Sequence, residues 1–220
     1  MASVAVAAEE RSAVTQLVAI AGDESLEPMA RAFAVWQLGF DAAPAARGAV
    51  IGATTANHPA IRLAAISMLG EAPHFRSDAA IRHRTARALF AGLEDAQSAV
   101  RITALLALVN LGSFDYDPAT NLTIAVVARE LRAWAALHDR DADLQRSMGV
   151  VHLLIGEAEP AARVLETSLT LDREGNGTRY LLALARLLQR RPADARALLL
   201  EVPESDKYFQ HAHEQLKQLP

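Results

Sequence analysis

The chain offers few residue combinations that could do chemistry. Seven histidines stand at 58, 74, 83, 138, 152, 211 and 213 of the 220 residues, and there is no cysteine. Within the chain, the lack of cysteine excludes thiolate catalysis, disulfides, iron–sulfur clusters, Cys-ligated zinc and covalently attached c-type haem. No HExxH spacing is present to place two imidazoles on one helical face. His211 and His213 are two apart, so on a helix they point to different sides. Asp139-Arg140-Asp141-Ala142-Asp143 alternates carboxylates as a calcium loop does, but lacks the turn glycine and the distal glutamate. It reads as an inter-helix loop that supplies an N-cap. Gly175-Asn176-Gly177 reads as a turn and not as a phosphate cradle, and Asn121-Leu122-Thr123 as a chance glycosylation triplet at a helix start. The expectation is no catalytic residue, no metal and no cofactor: a chain that is not an enzyme.

Composition says what must position the remaining residues. Hydrophobic residues make up 51% of the chain, and only 5% are aromatic. The apolar content is mostly Ala and Leu, the strongest helix formers, and period-two β-branched runs are missing. The expected class is all-α. Net charge is −4 with a pI near 6.0, which leaves no electrostatic footprint for nucleic acid. Arg82, Arg84 and Arg87 with His83 could form a small basic face. Asp78, Glu94 and Asp95 nearby are expected to pair with it. No apolar run reaches the 18 residues of a membrane span, and the start Met1-Ala2-Ser3-Val4 has no basic leader region. These features predict no membrane insertion and a cytoplasmic protein, or a periplasmic one if a leader has been removed.

One pattern occurs three times in the first half. Pro28 to Gly39, Pro59 to Gly70 and Ser98 to Val109 share a Pro or Ser start, then Arg31, Arg62 or Arg101 three residues on, a small residue after that, and a Leu or Met stripe. Proline suits a first helical turn, where its missing N–H has no partner to lose. Gly39 and Gly70 are expected to be left-handed C-caps. Each copy follows another amphipathic segment, roughly 12–21, 44–55 and 78–93, so the unit is a pair of antiparallel helices. The three arginines are expected to form a structural ladder with loop carboxylates. This skeleton resembles HEAT-type repeats, although Glu27 and His58 stand where that family often has Asp before Pro, and the third copy has lost the Pro. A HEAT-type di-iron hydroxylase would need repeated His-Glu steps, and only His213-Glu214 is present.

The second half repeats at 34 residues. Gly149 and Ala183, Ala161 and Ala195, and Leu165 and Leu199 are paired at that spacing, which with small residues at these points is the tetratricopeptide signature. His152 replaces the usual Tyr, and Arg190 the turn Gly. The expected architecture is an α-solenoid of antiparallel helix pairs: HEAT-like repeats over 1–112, a hinge at 113–118, and tetratricopeptide-like repeats over 119–220 ending in a capping helix from 205 to 219. Gly149, Ala161, Ala183 and Ala195 are the structural small residues. The whole order, including the run ADLQRSMGVVHLLIGEAEPAARVLETSL, resembles the C-terminal repeat region of bacterial multihaem c-type cytochromes, without their haem motifs. That resemblance implies a repeat scaffold, an accessory subunit of such a redox complex being the alternative. A DNA-binding HEAT protein is a third possibility, disfavoured by charge.

The leading expectation is a scaffold that binds a protein partner on its concave face. In tetratricopeptide stacks the first helix of each pair lines the groove. Arg146, Val150 and Leu153 of one pair, with Arg179, Tyr180 and Leu184 of the next, would then hold an extended peptide or a helix. A core role competes with the groove role for these same residues. Oligomeric state and partner identity are not encoded in any recognisable pattern.

Overall fold

The computed structural model describes residues 13–112, 118–175 and 177–219, and the side chains of residues 118–121 are outside that description. The start of the chain, residues 113–117 of the expected hinge, the Asn121 side chain and Asn176 therefore lie outside the described residues. Every described element is helical, with no strand among the described residues. The chain divides into two compact units, Met1–Thr123 and Ile124–Pro220.

The first unit holds α1 (13–22), α2 (Pro28–Leu38), α3 (Pro44–Ala53), α4 (Pro59–Glu71), a 3-10 turn (Pro73–Arg76), α5 (Ala79–Gly92) and α6 (Ser98–Leu111). A further helix, α7 (Pro118–Ala135), contains the boundary between the units. Proline opens α2, α3 and α4 at the first turn. Asp78 Oδ1 accepts from the Ile81 N–H at 2.8 Å and caps α5, satisfying one of the four orphan donors of that end. Helix α2 packs on α4 and α4 on α6, while α3 touches both α4 and α5. Val35, Leu38, Val50, Ile66, Leu89 and Leu105 are fully buried between them. Each such side chain contributes about 1.5–3 kcal/mol of transfer free energy.

The contacts of α2 with α4 and of α4 with α6 recur at matching positions. A Cβ on Gly39 would lie 2.4 Å from Met68 Cγ, and one on Gly70 2.6 Å from Ala107 Cβ. Gly39 and Gly70 each sit eight residues after the arginine of their own copy, and Met68 and Ala107 six residues after the next arginine. These two glycines are not left-handed caps as expected. Gly39 has φ −62°, and Gly70 lies inside α4. Their lack of a side chain serves close helix approach. The left-handed cap is Gly112, φ +67°, at the end of α6.

Arg62 and Arg101 hold the loops that lead into their own helices, and Arg31 holds the end of α1. Arg31 Nε donates to the Ala21 carbonyl at 3.2 Å. Arg62 Nη1 donates to the carbonyls of Ala56 and Asn57, and Arg101 Nη1 to those of Asp95 and Ala96, six and five residues upstream in both cases. Arg62 also forms a two-pronged pair with Asp95, at 2.6 and 2.8 Å. The expected pairing of Asp95 and Asp78 with the basic cluster of α5 is therefore replaced. Asp95 is engaged by Arg62, and Asp78 by the backbone of its own helix.

In the second unit, α8 (Ala142–Leu154) packs on α9 (Ala158–Leu171), α9 on α10 (Thr178–Leu188), α10 on α11 (Pro192–Leu200), and α11 on α12 (Phe209–Gln218). Asp141 of the acidic run caps α8 through the Leu144 N–H at 2.9 Å. The 34-residue period is visible in backbone geometry. Gly156 and Arg190, 34 apart, both take positive φ, +77° and +59°. The next residue donates back in the same way, Glu157 to the His152 carbonyl at 2.8 Å and Arg191 to the Arg186 carbonyl at 2.9 Å. Arg190 thus occupies a conformation that glycine adopts more readily. Gly149 brings α9 close, since a Cβ there would meet Leu165 Cγ at 2.4 Å. Ala161, Ala183 and Ala195 are fully buried, and Ala183, Ala195, Leu199, Val202 and Ala212 form one cluster under α12.

Candidate functional site

The most unusual surface among the described residues is on α2. Its buried side carries Ala32, Ala34, Val35 and Leu38. Steps of four and three residues place Met29, Phe33 and Trp36 in one stripe on the opposite side, and Phe40, two residues past the end of α2, joins it by its contact with Trp36. These four are 70%, 59%, 40% and 61% exposed. Phe33 stacks near Trp36 with ring centres 6.0 Å apart, and Trp36 meets Phe40 edge-on at 4.8 Å. A surface helix normally puts polar side chains there. The register set by the arginines makes the contrast internal to the chain. The corresponding positions are Ala60, Ala64, Ser67 and Glu71 on α4, and Ala99, Thr103, Leu106 and Asn110 on α6. The matching positions of α4 and α6 therefore carry no aromatic ring. Three of the eleven aromatic residues of the chain lie in this one stripe.

The sequence-predicted groove residues all lie in the second unit. Arg146, Leu153, Arg179, Tyr180 and Leu184 are partly exposed, whereas Val150 is buried. Arg146 Nη2 donates to Asp143 Oδ1 at 2.9 Å, and Arg179 lies 3.8 Å from Glu201. Tyr180 does not face open solvent alone. The ring of Tyr208, in the segment before α12, stacks on it with centres 4.9 Å apart. Asp206 anchors that segment by accepting from the Gly177 N–H at 2.7 Å and the Tyr208 N–H at 2.8 Å. Gly177 is required here twice over: its φ is +85°, and a Cβ would lie 2.7 Å from the Tyr208 ring. Burial pushes the Tyr180 and Tyr208 phenols above the ordinary range.

A cleft of 330 Å³ opens between α7, α8 and α9, lined by Ala135, Met148, Pro160 and Val164 with Arg132, Arg163 and His152. His152 is buried, and its Nδ1 lies 2.7 Å from Glu157 Oε2, which also accepts from Arg132 at 3.0 Å. A carboxylate can only accept, so Nδ1 carries the proton and Nε2 is left as the acceptor. Burial holds the His152 imidazole below its ordinary value of 6.5, and Arg132 reinforces this. The bond to Glu157 opposes it without prevailing. The folded state therefore keeps a neutral ring where the unfolded chain takes up a proton. This contribution to stability is present above pH 6.5 and declines as pH falls from there through the lowered folded value. Denaturant midpoints of the second unit are expected to drop between neutral pH and pH 5, and a His152→Gln chain to show a flatter profile. Equal slopes in the two chains would show that His152 does not govern the acid response.

Among the described residues, no group of three or more His, Asp or Glu side chains is arranged to hold a metal ion, and no helix is long and apolar enough to cross a membrane. No family model and no curated protein matches the chain.

Proposed function

We propose that this chain is a non-catalytic scaffold that binds a protein partner. In this reading it is an α-solenoid of helix pairs, HEAT-like in the first unit and tetratricopeptide-like in the second. The in-register glycine contacts of α2, α4 and α6 and the repeated turn at 156 and 190 support the repeat assignment. The aromatic stripe of α2 carries the functional reading. Large rings left in water cost solubility and contribute little to this fold, whereas aromatic side chains are the strongest anchors at protein interfaces. The groove of the second unit is a weaker candidate because Tyr180 is already engaged by Tyr208 of the same chain. A partner would have to displace that ring.

Affinity capture from extracts of the source organism tests the proposal. The wild-type chain should retain a partner, and the Phe33→Ser/Phe40→Ser chain should lose most of it, roughly tenfold, with helical content unchanged. Equal retention by the two chains would remove α2 as the binding surface. A Tyr180→Ser chain tests the other groove in the same assay and is expected to match wild type.

A further inference from the structure

The cleft of the second unit sets two polar side chains in an apolar floor. Gln145, Met148 and His152 of α8 stand at steps of three and four residues, so one side of that helix meets the cleft. Ala135 of α7 and Pro160 and Val164 of α9 supply the facing walls. His152 is 2% exposed and Gln145 8%. Among the described residues nothing bonds to His152 Nε2, and it is not among the buried atoms left without a partner, so this nitrogen meets solvent. The cleft is the surface that His152 lines. Gln145 Nε2 reaches the Asp139 carbonyl at 3.5 Å, and its Oε1 has no partner among the described residues. The mouth carries Arg132, Arg163 and Asp139, all exposed. Arg132 is bonded to Glu157, and Arg163 lies 3.8 Å from Glu159. Each cation at the mouth thus already faces a carboxylate.

We propose that this cleft binds a small neutral molecule, largely hydrocarbon, with a hydroxyl or N–H that donates to His152 Nε2. The site stands apart from the aromatic ridge of α2 and goes beyond the scaffold reading. Ala135, Met148, Pro160 and Val164 favour apolar area. His152 Nε2 sets the polar requirement, because Nδ1 carries the ring proton toward Glu157 and Nε2 can only accept. A ligand without a donor would strip water from this nitrogen and replace it with nothing. An anion finds no cation that lacks its own carboxylate. A cation, which Asp139 would meet only at the mouth, would shed its water against the apolar walls. The volume of 330 Å³ equals that of about eleven waters. That suits a ligand of about ten non-hydrogen atoms, at the lower end of small-molecule sites.

The test uses para-propylphenol, which is of that size, and its methyl ether para-propylanisole, which lacks the donor. Each is titrated into the full chain and followed by backbone amide NMR shifts. The phenol should move Ala136, Met148 and Val164 and saturate with a Kd of roughly 1 mM or below. The ether should bind about tenfold more weakly. A His152→Phe chain should bind the two alike. Ala136→Trp, a change at an exposed position on the rim, should close the mouth and abolish both. Equal binding of phenol and ether by the wild-type chain leaves a merely apolar cleft and overturns the proposal, and this comparison stands even if His152→Phe fails to fold. Binding of neither probe, or binding that Ala136→Trp leaves unchanged, overturns it as well. A short peptide with a central tyrosine separates the two sources of a phenol. If it binds more tightly than para-propylphenol, the cleft is a socket for a partner's side chain and the small-molecule assignment falls.

Discussion

A Gly70→Val chain is expected to lose about 3 kcal/mol of stability in the first unit, the upper part of the range for overpacking. A Cβ at this position would lie 2.6 Å from Ala107 Cβ and 2.8 Å from Ala107 Cα, so part of the clash is with backbone. Backbone cannot rotate away, and α4 and α6 must separate along their contact, which uncovers Leu105 and Leu108. At Gly39 an added Cβ would meet Met68 Cγ at 2.4 Å and Met68 Cβ at 2.6 Å, and the Cβ cannot rotate away, so Gly39→Ala should destabilise as well, less than Gly70→Val because it adds fewer atoms. Gly48→Ala is the control. Nothing lies within 4 Å of its added Cβ, and the replacement should stabilise α3 by about 0.5–1 kcal/mol. Denaturant midpoints of the three chains check the order. A Gly70→Val chain as stable as wild type would mean that the contact between α4 and α6 is not tight.

Asp95→Ala is expected to cost about 2 kcal/mol, discounted from the value for a fully buried pair because both partners keep slight solvent access. The side chains of Arg62 and Asp95 are 15% and 10% exposed. Asp95 accepts from Arg62 Nε and Nη2 and from the Gln97 N–H, so its removal strands a guanidinium and opens the turn before α6. The bond to Arg62 holds the Asp95 carboxyl below its ordinary 3.8, and the bond to Asp95 raises the guanidinium. The stability that this pair supplies is present above pH 3.8 and is lost only as pH falls through the lowered folded value. A cycle with Arg62→Met separates the pair from the cap. If Asp95→Ala costs as much in the Arg62→Met background as in wild type, the link from α4 to the turn before α6 contributes nothing beyond the turn itself.

Much of the framework was legible because local chemistry fixes helix starts. Pro28, Pro44 and Pro59 each open a helix and Asp78 caps one, and orphan N–H groups explain all four. The 34-residue period was equally readable because Leu131, Leu165 and Leu199 all point inward. The α2 ridge was not read as a surface. Its 4-3 spacing says that Met29, Phe33 and Trp36 share a side, but Ala32, Ala34, Val35 and Leu38 on the other side are apolar too. Periodicity alone cannot say which side meets the core. The signal that could have decided it was the comparison across copies, in which Ala64 and Thr103 stand for Phe33. Gly39 and Gly70 looked like caps because they end a pattern, and only the position of Met68 and Ala107 shows that they are contacts. The stacking of Tyr208 on Tyr180 joins residues 28 apart with no spacing rule to announce it.

The claim on which the functional reading depends is that the rings of α2 are spare for folding. The unfolding midpoint of the first unit in a Phe33→Ser/Phe40→Ser chain tests it most directly. Exposed substitutions change stability by about 0.5 kcal/mol or less each, so for the two together the account predicts a midpoint within about 4 °C of wild type. A fall of about 8 °C or more, the signature of lost core packing, would show that these side chains hold the unit together and would contradict their assignment to a partner.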